Sequence, residues 1–349
     1  MQAKYADSQR LEQLIRRLAP LYGPSGREEA VRAAVIDLVK PLADEVTVDA
    51  LGNVIARRRG AGGPAARRVM VAAHMDEIGV IVTHIDDNGF LRFAPVGGVG
   101  PATLLGQQVV FDNGVVGAVG IEKVEGPKDI HLDKLFIDIG ASSKQEAEKY
   151  VRVGSCAAYL RDVAKAGSRL IGKAMDDRVG CAVAIEALHQ LKDDPGPNDV
   201  YFVFTVQEEV GLRGARTSAY AVEPDVAIAV DVTATGDTPN GQRLNMKLGG
   251  GVAIKVKDRS LITHRGLREL LVQCAEEEGI PYQMEVLPSG GTDAGAIHVT
   301  RTGVPSGVLS IPTRYLHTPA EMVDLADVAA TADLLTAALR RELNVGASG

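Results

Sequence analysis

The sequence predicts an α/β fold interrupted by a small, mostly β insertion, and three observations carry that prediction. The runs VMVAAH, VYFVFTVQ, DVAIAVDV and GVLSIP are apolar without alternation, as strands buried on both faces are. Segments with apolar residues at i, i+3, i+4 and i+7 fall between them, the strand and helix alternation of α/β proteins. Residues 77–167 lose that rhythm and break into short β runs separated by Gly, Asp, Asn and Pro.

The elements follow in order. Leu11, Leu14, Ile15 and Leu18 share one helical face, and Gly23-Pro24 ends that helix. Ser25 and Glu28 have capping-box spacing, which predicts a second helix carrying Val31, Ala34, Val35 and Leu38 as far as Pro41. VTV and NVIARR, on either side of Gly52, read as short strands, and VMVAAH at 69–74 as a buried one. Beyond His74, IGVIVTHI and FLRFAPV flank the turn DDNG at 86–89, where Asn88-Gly89 suits the positive φ of a hairpin. LGQQVVF, VVGAVGIEKV, LFIDIG and AAYLRDV continue as β runs around one helix candidate, SSKQEAEKYV at 142–151.

From about 168 strand and helix alternate again. DDRVGCAVAIEALHQL at 176–191 predicts a capped amphipathic helix; VYFVFTVQ, DVAIAVDV, GVAIKV, PYQMEVL and GVLSIP are strands; THRGLRELLVQCAEEEG and ADVAATADLLTAALRREL are helices. The expected organisation is one α/β domain in two pieces, 1–76 and 168–349, with a β-rich insertion at 77–167. The length of 349 residues suits this division, at roughly 150 residues per domain.

Composition narrows the function classes. Apolar residues at 46% and charged residues at 24% describe an ordinary globular chain. The 38 Lys and Arg against 45 Asp and Glu, scattered along the chain with a net charge of −7, give no nucleic-acid footprint. Aromatic content of 4% with no Trp argues against stacking on bases or sugars. The polar start MQAKYADSQR and apolar runs of about ten residues or fewer predict no membrane span. Cys156, Cys181 and Cys274 are an odd count with no framework spacing; they read as small buried hydrophobes in a reducing, cytoplasmic compartment.

The chemistry lies in where certain polar residues fall. His74, Glu208, Glu209, Asp231 and His317 each sit at the C-terminal end of a β run, and Asp176 and Asp177 between RLIGKAM and the helix after it. In an open α/β sheet those ends line one edge, so residues distant in sequence converge there. Two His, several carboxylates and no Cys form a ligand set for Zn, Co or Mn. One ion needs three or four protein ligands and this group offers more, so two ions are the better count, clamping a hydrolytic reaction between them. Asp76 is spaced to accept from the second imidazole nitrogen of His74. In Glu208-Glu209 one carboxylate can bind metal while the other takes a proton from water.

The strings AHMDEIG at 73–79, AMDDRVG at 174–180, VQEEVGLRGA at 206–215, AVDVT at 229–233, GGTDAG at 290–295 and YLHTPAEMVD at 315–324 resemble the di-metal aminopeptidases of the glutamyl aminopeptidase, cellulase M or tetrahedral aminopeptidase type. The resemblance runs over essentially the whole chain and includes GASSKQEAEKYVRVG at 140–154. It implies a mixed sheet sandwiched by helices, with a β-barrel-like dimerisation domain inserted. It implies two divalent ions per subunit, Zn or Co or else Mn, bridged by Asp176, which forms a cis peptide to Asp177. His74 and Asp231 complete one ion, Glu209 and His317 the other; Glu208 is the general base and Asp76 orients His74. It further implies hydrolysis of N-terminal peptide bonds, and dimers that assemble into a tetrahedral dodecamer admitting only short or unfolded peptides. Thr292 and Asp293 in GGTDAG are expected near the first substrate side chain.

Plainer readings exist for each residue alone, since a His after a strand is usually structural and Asp176 and Asp177 are good N-cap residues. Their joint occurrence outweighs those readings. His84, His131, His189, His264 and His298 lack matching carboxylates and read as structural, and Cys181 as packing. The glycine clusters GGVG, GGG and GG fit neither G-x-G-x-x-G nor a P-loop, which excludes a nucleotide site. A glycoside hydrolase fits badly, because that chemistry needs two carboxyls about 5–9.5 Å apart across a sugar and a platform this chain lacks. A catalytically dead shell would have lost a ligand or the base, and all are present.

Overall fold

The computed structural model describes residues 6–346. Among the described residues, eleven strands form one mixed sheet and six form a closed barrel. The centre of the sheet is four parallel strands, Asp199–Thr205, Arg68–His74, Val226–Ala234 and Ser306–Arg314, in that spatial order. Val54–Arg58 and Glu45–Val48 extend it antiparallel on one side. Glu321–Asp324, Arg169–Gly172 and Ala164–Ala166 extend it on the other. Val252–Lys257 pairs with Ser306–Arg314 and carries Tyr282–Val286 beside it.

Successive side chains of a strand point to opposite faces. In Arg68–His74 this sends Val69, Val71 and Ala73 into the main core, under the helices Ser8–Leu18, Glu29–Val39, Met175–Gln190 and Leu325–Leu339. Met70 and Ala72 go to the other face, where they meet Ala215 and Ala219 of Arg213–Val222 and Ile297. Burial on both faces is the physical reason that VMVAAH shows no alternation.

The helix expected to be amphipathic from Asp176 is instead buried all round, from Met175 to Leu188. It is sandwiched between the sheet and the helices Ser8–Leu18 and Leu325–Leu339. Its interior carboxylate, Glu186, is buried and compensated by Arg10, at 2.5 and 2.7 Å. Two more buried charges brace its start. Arg178 donates to the carbonyls of Met75 (2.6 Å) and Leu18 (2.7 Å), and Lys173 Nζ lies 2.6 and 2.8 Å from the two Glu77 oxygens. Together they tie the end of Arg68–His74 to the N-terminal helix and to Met175–Gln190.

Two local expectations need correction. Ser25 and Glu28 do not form a capping box: Ser25 Oγ donates to Asp76, and Glu28 Oε1 accepts from the N–H of Gly26 and of Gln207. Both side chains are claimed by partners from elsewhere in the fold, and the helix begins at Glu29 without a side-chain cap. The helix predicted over 142–151 shrinks to Lys144–Ala147, capped by Ser143.

The barrel closes through Gly79–Ile85, Leu91–Val96, Leu135–Asp138, Val116–Ile121, Gln108–Phe111 and Cys156–Tyr159. It has its own core, including Val80, Val82, Leu91, Val109, Phe111, Val119 and Ile137. At the first hairpin Gly89 takes φ +92° while Asp86 Oδ1 accepts from the N–H of Asn88 and Phe90. The chain then pairs back into the large sheet at Ala164–Ala166. Among the described residues no helix is long and apolar enough to cross a membrane.

Candidate active site

The four central strands run parallel, so their C-terminal ends share one edge, and the polar residues singled out in the sequence gather there. His74 ends its strand in register with Thr205, and Glu208 and Glu209 come just beyond Thr205. Asp231 lies opposite Ser310 in the next pair of strands, and His317 follows Ser306–Arg314. Asp176 arrives from the non-helical start of Met175–Gln190, where the Asp176-Asp177 peptide is cis.

His74 Nε2 stands 2.9 Å from Asp176 Oδ1 and 3.9 Å from Asp231 Oδ1. His317 Nε2 stands 3.3 Å from Asp176 Oδ2 and 3.3 Å from Glu209 Oε1. Two triplets result, His74–Asp176–Asp231 and Asp176–Glu209–His317, each with one donor atom per residue within 4.8 Å of the others. Asp176 belongs to both and turns one oxygen toward each imidazole. Glu208 belongs to neither; its Oε2 lies 4.0 Å from His74 Nε2, at the cleft wall.

Buried groups behind the triplets hold them in place. Asp76 Oδ1 accepts from the Glu208 N–H (2.9 Å), and Oδ2 from the Glu209 N–H (3.2 Å) and Ser25 Oγ (2.5 Å). His74 Nδ1 is 3.1 Å from the Asp76 carbonyl and 3.5 Å from Oδ1. Asp76 therefore ties together the His74 ring and the backbone of the Glu208-Glu209 pair. Asp177 Oδ2 accepts from the His74 N–H (3.2 Å), and the Cys181 thiol donates to the His74 carbonyl.

Sequence reasoning missed two contributors. Glu321 is buried, and its carboxylate accepts from the N–H of Asp176 (3.1 Å) and of His317 (2.8 Å), bracing both ends of the second triplet. Its only signal was a carboxylate four residues after His317. The second is the loop at Gly97 and Gly98, which lies against Glu209 and His317 so closely that a Cβ on Gly98 would stand 2.3 Å from His317 Nδ1. The sequence considered that glycine cluster only as a nucleotide loop. Thr292 and Asp293 are buried, with Asp293 Oδ2 accepting from Thr205 Oγ1 (2.5 Å); the cleft wall there is formed by Gly290 and Gly291.

The backbone around the site is held in an uncommon region. His317 (φ +58°), Gln207 (φ +55°) and Leu212 (φ +56°) are non-glycine residues at positive φ, a conformation that persists where surrounding contacts enforce it. For His317 the bond to Glu321 is such a contact.

Crowded carboxylates dominate the electrostatics. Burial, then the charges of Asp231, Asp293 and Glu209, push Glu208 well above the usual carboxylate range. Asp231 is raised likewise, by burial and then by Asp176. Burial also opposes the charged form of Asp176, but hydrogen bonds with His317 and His74 prevail and hold it below the ordinary value. Burial would lower His317, yet Asp176 and Glu209 raise it to about 12. So much negative charge in a partly desolvated cleft calls for cations. Glu209 Oε1, buried without a hydrogen-bond partner, has a lone pair to offer one. Imidazole nitrogens and carboxylate oxygens in two adjoining triplets fit divalent ions of the Zn, Co or Mn kind.

Fold and site together define an α/β protein with a candidate metal centre, and comparison with known proteins makes it a peptide hydrolase. The sequence profile of the M42 glutamyl aminopeptidase family matches residues 52–334, and the chain belongs to that family. It is 51% identical to a putative aminopeptidase of Acetivibrio thermocellus over 93% of this chain and 97% of that one. The solved structure of aminopeptidase APDkam598 from the archaeon Desulfurococcus kamchatkensis is similar at a TM-score of 0.92 and 44% identity, covering 96% of each chain. The Pyrococcus horikoshii TET1 peptidase, described as assembling into a tetrahedron or a large octahedral shell, is similar at a TM-score of 0.84 and 35% identity, covering 94% of this chain and 98% of that one.

Proposed function

We propose that this chain is a metal-dependent aminopeptidase that removes N-terminal residues from short or unfolded peptides. The observation that carries the reading is Asp176, shared between two histidine–carboxylate triplets with one oxygen facing each imidazole. His74, Asp231 and Asp176 would hold one divalent ion, and Glu209, His317 and Asp176 the other. When bound, such a pair supplies Lewis acidity for the scissile carbonyl and a water ionised at neutral pH.

The chain's own residues do the rest. Glu208 stands outside both triplets yet opens on the cleft, so its carboxylate is free to take the proton of the attacking water and pass it to the leaving amine. Asp76 and Glu321 fix the groups around it. The carboxylates lining the cleft attract the free α-ammonium of a peptide, which favours cleavage next to the amino terminus. A tripeptide with a free amino terminus is expected to lose its first residue, while its Nα-acetylated form stays intact. Equal cleavage of both would refute the exopeptidase assignment.

The glycine loop yields a second test. Gly98→Ala would force the His317 ring aside. By analogy with other changes next to ligating histidines, we expect kcat/KM to fall about 10–100-fold with the circular dichroism unchanged.

We also read 77–167 as the dimerisation insertion in a catalytic domain of 1–76 and 168–349. Val116, Tyr150, Val153 and Leu160 are exposed on that segment, apolar surface that a second copy would cover. Further assembly of such dimers into a tetrahedral dodecamer is our reading by analogy with the TET1 peptidase, described as assembling into a tetrahedron or a large octahedral shell, and with the PhTET1-12s structure, described as a dodecamer. Three buried, unpaired cysteines support a cytoplasmic location.

A further inference from the structure

We infer that the enzyme selects an uncharged, apolar N-terminal residue, leucine or methionine rather than glutamate, lysine or arginine. The inference rests on the aminopeptidase reading and deepens it. The cleft over the two triplets encloses about 490 Å³, ample for one amino-acid side chain beside the reacting bond. Every charged side chain lining it already belongs to the triplets or is Glu208. The remaining wall is neutral. Leu212, Val232, Ala234, Leu287 and Leu316 supply carbon surface, Gln242 an amide and Ser289 a hydroxyl.

Two charged groups behind and beside that wall are ion-paired, while Asp293 is buried and accepts from Thr205 Oγ1. Lys255 is buried, with Nζ 2.8 Å from Glu285 Oε1 and 3.5 Å from Asp258 Oδ2. The cleft residue Thr233 closes over this group by donating to Glu285 Oε1 (2.8 Å). Asp237, three residues after Ala234, is held by Arg314 at 2.9 and 2.6 Å. Arg243, next to Gln242 in sequence, is exposed and does not line the cleft.

A charged substrate side chain entering this wall therefore gives up water and meets no opposite charge, whereas an aliphatic one buries its surface against five apolar residues. An acidic side chain finds no cationic side chain on this wall, and the cleft carboxylates beside it are engaged by the ions in the loaded enzyme. Basic residues could turn toward those carboxylates only by displacing the α-ammonium or the ions from them.

The test uses the assembled, metal-loaded enzyme with the p-nitroanilides of leucine, methionine, glutamate and lysine. The leucine and methionine substrates are expected to exceed the other two in kcat/KM by about 10-fold or more, the scale on which apolar pockets discriminate. Leu287→Glu, which puts one carboxylate into the half-buried wall, should raise the lysine-to-leucine ratio about 10-fold. Gln242→Glu, at an exposed position, makes the same test with less risk to folding and should move the ratio in the same direction. A glutamate or lysine substrate turned over as well as leucine would overturn the inference while leaving the aminopeptidase reading intact. An unchanged ratio in both variants would do the same. Hydrolysis of none of the four would defeat the aminopeptidase reading, and the inference with it.

Discussion

Glu208→Gln is expected to lower kcat by about 10²–10⁴-fold, the range that a positioned proton-transfer group contributes. The substitution keeps the shape of the side chain and removes only its ability to accept and return a proton. Glu208 lies outside both triplets, so divalent-ion binding should survive. The bond from its backbone N–H to Asp76 Oδ1 involves none of its own side-chain atoms and should persist, as should the Glu209 N–H bond to Asp76 Oδ2 that holds Glu209 where it is. The expected signature is therefore a collapse in kcat, a KM changed far less, and unaltered ion content by elemental analysis. Retention of full turnover with both ions bound would show that another group moves the proton.

Loss of the ions is the second large effect. Asp176→Ala should be the most damaging single change at the site, because it removes one donor from each triplet, whereas Asp231→Ala or His317→Ala touches only one. The variant also leaves His317 facing Glu209 with no Asp176 oxygen beside it, and releases the Asp176 contact of His74. Activity should fall below detection. The ion content of Asp176→Ala should drop further than that of either other variant. An Asp176→Ala protein that still carries both ions would refute the sharing of this residue.

The sequence made the framework of the site legible for a simple reason. Strands buried on both faces announce themselves as unbroken apolar runs, and the polar residue that ends such a run marks the sheet edge. His74 after VMVAA and Asp231 after VAIAV are read this way, and their convergence follows from strands that lie parallel. What supports them is legible only in part: the spacing places Asp76 beside His74, but not the rest of its contacts. Asp76 bonds to residues 132 and 133 positions away, and Glu321 to one 145 positions away, with no periodicity to reveal either partner. Gly97 and Gly98 matter through what a side chain there would strike, which only the packed fold defines. Met175–Gln190 was misread as amphipathic because its buried charges, Arg178 and Glu186, look like a solvent face until their partners are seen. The capping-box spacing of Ser25 and Glu28 misled for the converse reason, since both side chains serve the active-site edge instead of the helix beside them.

The most direct test of a two-ion aminopeptidase is to strip the protein with a chelator, remove the chelator, and titrate zinc or cobalt back while following release of the N-terminal residue from an unblocked peptide. Activity should be absent in the stripped protein, rise with added ion, and level off at about two ions per subunit. Full activity in the stripped protein, with no ion detectable, would contradict the proposed chemistry outright.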